Sequence, residues 1–128
     1  MKTLPVHTRS RTDFLDITEN VQAAVSELNI REGLVTVFVP HTTAGVTSNE
    51  HADPDVMSDL ASALDRLAPW KAGYAHTEGN AAAHVKASLM GSSVRVPVTR
   101  GRLRLGTWQG IFFCEFDGPR DRSVWIIP

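Results

Sequence analysis

Three of the chain's five histidines lie in segments that carry other reactive groups: His41-Thr42-Thr43-Ala44-Gly45, His76-Thr77-Glu78-Gly79-Asn80, and His84 within Ala81 to Met90. Glu50, His51 and Asp53 fall between the first two. Imidazoles with one carboxylate suit zinc or another first-row metal better than magnesium, which prefers oxygen shells. Neutral histidines also serve as hydrogen-bonding pocket residues, so His41, His76, His84 and Glu50 form either a metal set or a polar pocket. His76 and His84 are eight residues apart and do not form the two-histidine helix motif of zinc proteases. The hydroxyls of Thr42 and Thr43, with the small residues Ala44 and Gly45 letting backbone N–H groups approach a ligand, can bind an oxyanion; the alternative is a Thr/Gly turn with an exposed histidine. Asp53, directly before Pro54, is either catalytic or simply a helix cap, whereas Glu50 has no capping duty and is the better general base or ligand. His51 is either part of the site or a surface residue.

A second group lies further along the chain. Trp108 and Gln109 stand between Gly106 and Gly110 as a flat ring to stack a heterocycle and an amide to bond it, with core packing of Trp108 as the alternative. Cys114 sits in an apolar run and reads as an inert core thiol. Arg100, Arg102, Arg104, Arg120 and Arg122 are phosphate contacts, subunit salt bridges or solvated hairpin charges.

The elements that must position these groups follow from periodicity. Val21, Ala24, Val25 and Leu28 recur at helical spacing, which predicts a helix over residues 19 to 29 with Thr18 as N-cap. The apolar, β-branched run Leu34 to Val39 predicts a central strand covered on both faces. Asp53-Pro54-Asp55 announces a second helix with the stripe Val56, Leu60, Leu64 and Leu67, stopped by Pro69. A polar loop leads to Asn80, and a third helix, Ala81 to Met90, turns Ala82, Val85 and Leu89 inward and ends at Gly91. Strands are predicted at Val94 to Val98, Leu103 to Leu105, Ile111 to Phe116 and Val124 to Ile127, with turns at Arg100-Gly101 and Asp117-Gly118-Pro119, giving an antiparallel C-terminal meander. The fold class is therefore α+β: one compact domain over residues 1–128, with mixed or antiparallel sheets and two to three helices.

Composition restricts the remaining classes. A chain of 128 residues, 42% hydrophobic and 21% charged, matches an ordinary globular domain, and a formal charge of −1 gives no support to a nucleic-acid partner. One cysteine permits no internal disulfide, which suits a reducing cytoplasm. The first residues have no apolar run of signal-peptide length, and no stretch reaches the roughly 20 apolar residues of a membrane span, so neither export nor a membrane partner is expected.

In order, His41-Thr42-Thr43-Ala44-Gly45, Asn49-Glu50, Ala52-Asp53-Pro54-Asp55-Val56, His76-Thr77-Glu78-Gly79-Asn80-Ala81, Ala83-His84-Val85-Lys86-Ala87-Ser88-Leu89, Gly106-Thr107-Trp108-Gln109-Gly110 and Glu115-Phe116-Asp117-Gly118-Pro119-Arg120 resemble the YjbQ-like family, also described as secondary thiamine-phosphate synthases. The resemblance covers nearly the whole chain. It implies an α+β homotrimer with a polar site for a divalent metal, zinc or magnesium, or for an anion. It also implies a weak activity that joins a pyrimidine pyrophosphate to a thiazole phosphate with loss of pyrophosphate. His51 departs from it, standing where similar sequences usually carry asparagine, either as an added ligand or as a neutral exchange.

The expectations for a small phosphorylated substrate are then specific. His41, Glu50, His84 and Asp53 are catalytic, with a metal near His41, His76, His84 and Glu50. Thr42, Thr43, Lys86, Trp108, Gln109 and Glu115 contact substrate, Lys86 or an arginine meeting phosphate and Trp108 stacking a ring. Two other classes use the same residues: a metal-dependent phosphate-ester hydrolase with Glu50 activating water, and a non-enzymatic trimer that binds a small anion or metabolite.

Overall fold

In the computed structural model, which describes residues 1–128, eight strands and three helices follow in the order β1 (Lys2–His7), β2 (Asp13–Asp16), α1 (Thr18–Glu27), β3 (Glu32–Phe38), β4 (Ala44–Glu50), α2 (Pro54–Leu67), α3 (Ala81–Met90), β5 (Ser93–Thr99), β6 (Arg102–Leu103), β7 (Gln109–Glu115) and β8 (Asp121–Ile127). They form a five-stranded sheet, β1-β8-β3-β5-β6, and a three-stranded sheet, β2-β7-β4, in which every pairing is antiparallel. This is the expected α+β class. No helix is long and apolar enough to cross a membrane.

The alternation of side chains along a strand explains the layering. On β7, Ile111 and Phe113 face the large sheet and join Val21, Val25, Val35, Val37, Val46, Val124 and Ile126 in the main core. Phe112 and Cys114, with Phe116 just beyond the strand, pack beneath the helices with Leu64, Ala83 and Ala87. A strand that feeds two cores must lie in the middle layer, so the last four strands cannot be a meander. Only β5 and β6 form a local hairpin, through Arg100 and Gly101, both at positive φ as a two-residue primed turn requires. β7 crosses to pair with β2 and β4, while β8 returns to the large sheet between β1 and β3.

Several predicted features change. β3 is central in its sheet, but only Val35 and Val37 face the core; Leu34 is 52% exposed, and Phe38 stacks on Trp125, both half-buried. Ala44–Glu50, expected as loop, is a strand, and β1 and β2 precede the first predicted element. Ile17, not Thr18, occupies the N-cap position of α1. The Thr18 hydroxyl instead donates to Asp16 and accepts from the Ile111 N–H.

The helical stripes also rotate. α3 buries Ala82, Ala83, Lys86 and Ala87 and leaves Val85 and Leu89 out, while Leu67 of α2 is 72% exposed. The reason is close approach. A Cβ on Gly45 would meet the Gly91 carbonyl oxygen at 2.6 Å, so α3 lies so near β4 that its alanine face, not its leucine, must be inward.

Candidate functional site

The ladder between β3 and β8 stops at Phe38 opposite Trp125, and the chain leaves β3 through Pro40. The N–H of Ser123, two residues before Trp125, donates to Nε2 of His41 at 2.9 Å. That bond fixes the ring: with Nε2 accepting, a neutral imidazole carries its proton on Nδ1 and offers it as a donor. Burial and then the charge of Arg122 lower the His41 pKa, against smaller opposing effects of the Ser123 backbone bond and then the Glu115 charge. His41 is thus a neutral N–H donor near pH 7.

Arg122 is the cation beside it. Along β8, Arg122, Val124 and Ile126 share the inward parity, so the guanidinium is buried. Glu115 shares the inward parity of Ile111 and Phe113 and is fully buried. Arg122 grips both carboxylate oxygens, Nε to Oε1 at 2.8 Å and Nη2 to Oε2 at 2.5 Å, and Nη2 also donates to the Thr43 hydroxyl at 2.7 Å. Thr8 Oγ1 and the N–H groups of Phe116 and Asp117 donate to the remaining carboxylate positions. Burial alone raises the Glu115 pKa, but the bond from Arg122, then those from Asp117 and Thr8, and the Arg122 charge outweigh it and hold the group below its ordinary value. The pair is charged, satisfied and rigid, and the Nη1 group of Arg122 is left without a protein acceptor.

These groups open into one groove. A cavity of about 550 Å³ lies between the β3–β4 connection and α3, lined by His41, Thr42, Ala44, His84, Ser88 and Ser92 among others. A second, of about 480 Å³, shares His41, Thr42 and Ser92 and reaches Arg122. Neither lining contains a carboxylate. The groove therefore presents Arg122, the His41 Nδ1–H and the hydroxyls of Thr42 and Ser92, the Ser88 hydroxyl being committed to the His84 carbonyl at 2.9 Å: a site for an anion.

The other expected residues distribute as follows. His76 stands edge-on to His84, with ring centroids 5.1 Å apart, on the side of α3 nearer the Trp70–Gly79 loop. Glu50 ends β4, six residues and roughly 20 Å of extended strand from Ala44, and its carboxylate accepts from the Ala52 N–H. Asp53 caps α2 by accepting from the Asp55 N–H at 2.9 Å. Lys86 is buried in an ion pair with Asp65 that ties α3 to α2, so it does not line the groove. Thr43 and Glu115 hold Arg122 and are themselves buried. Trp108 is 63% exposed in the turn before β7 and does not fill the core. Gln109 accepts from the Gly106 N–H and lies at the Glu50 end of β4, opposite Glu50 in register. His51 is paired at that end with Asp16, at 3.1 Å. Cys114 is buried, which pushes its thiol up to about 12 and keeps it protonated.

The metal set does not fit within one chain. No three His, Cys, Asp or Glu side chains come close enough to share an ion. His41 has its Nε2 lone pair engaged by Ser123 and a proton on Nδ1, and Glu50 is at the far end of the strand. The residue not singled out among the arginines is Arg122. Its signal was the alternation Arg122, Val124, Ile126, which places a cation inward.

The family model described as UPF0047 protein YjbQ-like matches residues 2–127. The UPF0047 protein YugU of Bacillus subtilis is 50% identical over 98% of this chain and 96% of its own, and the UPF0047 protein MJ1081 of Methanocaldococcus jannaschii is 46% identical over 94% of this chain and 88% of its own. Among solved structures, a conserved protein of the same family from Clostridium acetobutylicum, described as uncharacterized, superposes with a TM-score of 0.96 at 51% identity, covering 98% of each chain. A conserved hypothetical protein from Thermus thermophilus gives 0.92 at 46% identity, again covering 98% of each. Matching over its whole length, the chain belongs to the YjbQ-like UPF0047 family.

Proposed function

We propose that the groove between His41 and Arg122 binds the phosphate or pyrophosphate group of a small phosphorylated molecule, and that the chain acts as a thiamine-phosphate synthase-like transferase. The observation that carries the reading is Arg122: a cation buried at real cost, held in place by Glu115, with Nη1 lacking a protein acceptor and with His41 lining the same cavity. In the synthase reaction the thiazole nitrogen forms the new carbon–nitrogen bond while the carbon–oxygen bond to pyrophosphate breaks, and the electron pair leaves with pyrophosphate. Donors already in place stabilise that charge as it develops. Here Arg122 supplies the charge, His41 and Thr42 supply neutral donors, and no step is routed through a metal.

The assembly we propose is a homotrimer working in the cytoplasm; what favours an assembly is the outer face of the large sheet, where Leu34 is exposed and Phe38 and Trp125 are half-buried. The protonated, buried Cys114 suits a reducing compartment. A non-enzymatic anion binder is the second reading, favoured by the lack of a carboxylate base in the groove. The hydrolase alternative is weaker, because Glu50 lies far from the groove in its own chain.

The test is turnover of the pyrimidine pyrophosphate and thiazole phosphate by the purified chain and by Arg122→Gln. Loss of an oxyanion donor is expected to lower kcat by about 100-fold or more. Unchanged turnover in the variant sinks the assignment, and saturable pyrophosphate binding without turnover selects the non-enzymatic reading.

A further inference from the structure

A separate cavity of about 360 Å³ opens at the other end of β4, between that strand and the edge of β5. β5 is paired with β6 at Val98 and Thr99, and the Arg104 N–H donates to the Pro97 carbonyl at 2.8 Å, so the chain that continues toward Gln109 lies against the β5 edge. Arg95, Arg104, Ser48 and Gln109 supply the polar lining, and no carboxylate contributes. Each of the four has donors to spare. Arg95 and Arg104 take part in none of the chain's ion pairs. Gln109 has its oxygen fixed by the Gly106 N–H, which leaves its amide nitrogen as the group on offer.

Two arginines on a hairpin are ordinarily solvated charges, and alone they would mean little. Ser48 is what separates this cavity from that case: its hydroxyl is buried and has no hydrogen-bond partner in the protein. Buried polar groups are nearly always paired, and an orphan donor at a cavity whose lining includes two cations outside any ion pair is satisfied by an acceptor that carries negative charge. The remaining wall, Val94, Val96, Pro97 and Leu105, is mostly apolar.

We propose that this cavity is a second oxyanion site, which takes a phosphate group on Arg95, Arg104, Gln109 and Ser48. It is independent of the His41 groove. Ala44 lines that groove and Ser48 lines this one, four residues along one extended strand, or roughly 13 Å, which is too far for a single pyrophosphate to bridge. The phosphate is either the free ion or the head of a monoester whose apolar body lies along Val94 and Leu105.

The experiment is an NMR titration of the full chain at constant ionic strength, with inorganic phosphate in one arm and phenyl phosphate in the other. It is read at the backbone amides of Ser48, Arg104 and Gln109 and, separately, at Ser123 beside His41. Saturable shifts at the first three are expected. They should weaken at least about tenfold in the Arg95→Gln/Arg104→Gln double variant, while the Ser123 response keeps its wild-type midpoint. Tighter binding of phenyl phosphate assigns the site to an ester, and equal binding to the free ion. Ser48→Ala, a smaller change, should weaken the same response without moving the thermal midpoint of the protein downward. The proposal is overturned if those amides do not shift saturably, or if the double variant, shown folded by its spectrum, titrates like wild type. Because Ser123 is followed in the same spectra, failure at this cavity is told apart from failure at the groove.

Discussion

Each end of β4 has a histidine near a carboxylate, and the two pairs behave differently. Near Ala44, His41 sits beside the Arg122–Glu115 pair, which is buried, bonded at every carboxylate position and shielded from solvent. Near Glu50, His51 meets Asp16 at 3.1 Å with side chains 34% and 42% exposed. In the low-dielectric interior the first group fixes charge and proton positions. At the surface the second competes with water and is worth roughly 0 to 1 kcal/mol. Residue types alone do not distinguish a site from a surface pair; burial and the completeness of the bonding do.

The largest effect that can break this contrast is at Glu115. Glu115→Ala leaves the Arg122 cation buried without its partner, so urea denaturation should show a loss of about 3–5 kcal/mol. Acid should act on the same end. The folded pKa of Glu115 lies below its ordinary value of 4.5, so the unfolded chain binds the extra proton; the stabilisation is complete above 4.5 and is lost as pH falls through the folded value. His41 has the same sign from a higher start: its contribution is complete above 6.5 and declines as pH falls through its lowered folded pKa. Denaturation midpoints should therefore fall on acidification below about 6.5, and His41→Gln should remove the first part of that decline. A midpoint that rises instead contradicts the arrangement.

Smaller changes sharpen the comparison. Gly45→Ala pushes a Cβ into the Gly91 carbonyl and should cost about 1–3 kcal/mol in a thermal melt, while disturbing the His84 side of the groove. Asp53→Ala should cost about 1 kcal/mol through loss of the α2 cap and leave pyrophosphate affinity unchanged. A large loss of affinity would return Asp53 to the site. Asp16→Asn breaks the exposed His51 pair but keeps a side-chain acceptor for Thr18. It should cost less than about 1 kcal/mol, and a cost near that of Glu115→Ala would erase the difference between the two ends.

Much of the fold was legible because the helices and the apolar strands have strong periods. α2 has its cap and proline, and β7 reads as a continuous apolar run. β4 was missed because Ala44-Gly45-Val46-Thr47-Ser48-Asn49-Glu50 is small and polar and is held in place by its neighbours, β7 and α3. β1 carries Pro5, which a strand tolerates at a sheet edge, and β1 is an edge strand. β3 and β7 look alike in sequence, yet only β7 is covered on both faces within the chain. Apolar content reports that a surface will be covered, not whether the same chain covers it.

At the candidate site, the sequence named His41 and His84, which line one cavity. It did not show that Glu50 points to a different part of the molecule, because the strand separating them was unread. Nor did it single out Arg122: Glu115 falls inside the run Ile111 to Phe116, but the last strand is predicted only from Val124, and Arg122 joins it only because β8 begins at Asp121. Their pairing, across a turn and between two sheets, needs the fold.

The most direct test of the anion groove is a pyrophosphate titration followed at the His41 ring by NMR, in wild type, Arg122→Lys and Arg122→Gln. The ring signals should shift saturably in wild type. The midpoint should rise about tenfold or more in Arg122→Gln and less in Arg122→Lys, which keeps the charge but not the fork that grips Glu115. Ring signals that ignore pyrophosphate, or a midpoint identical in all three proteins, would contradict the assignment of this groove to a phosphorylated ligand.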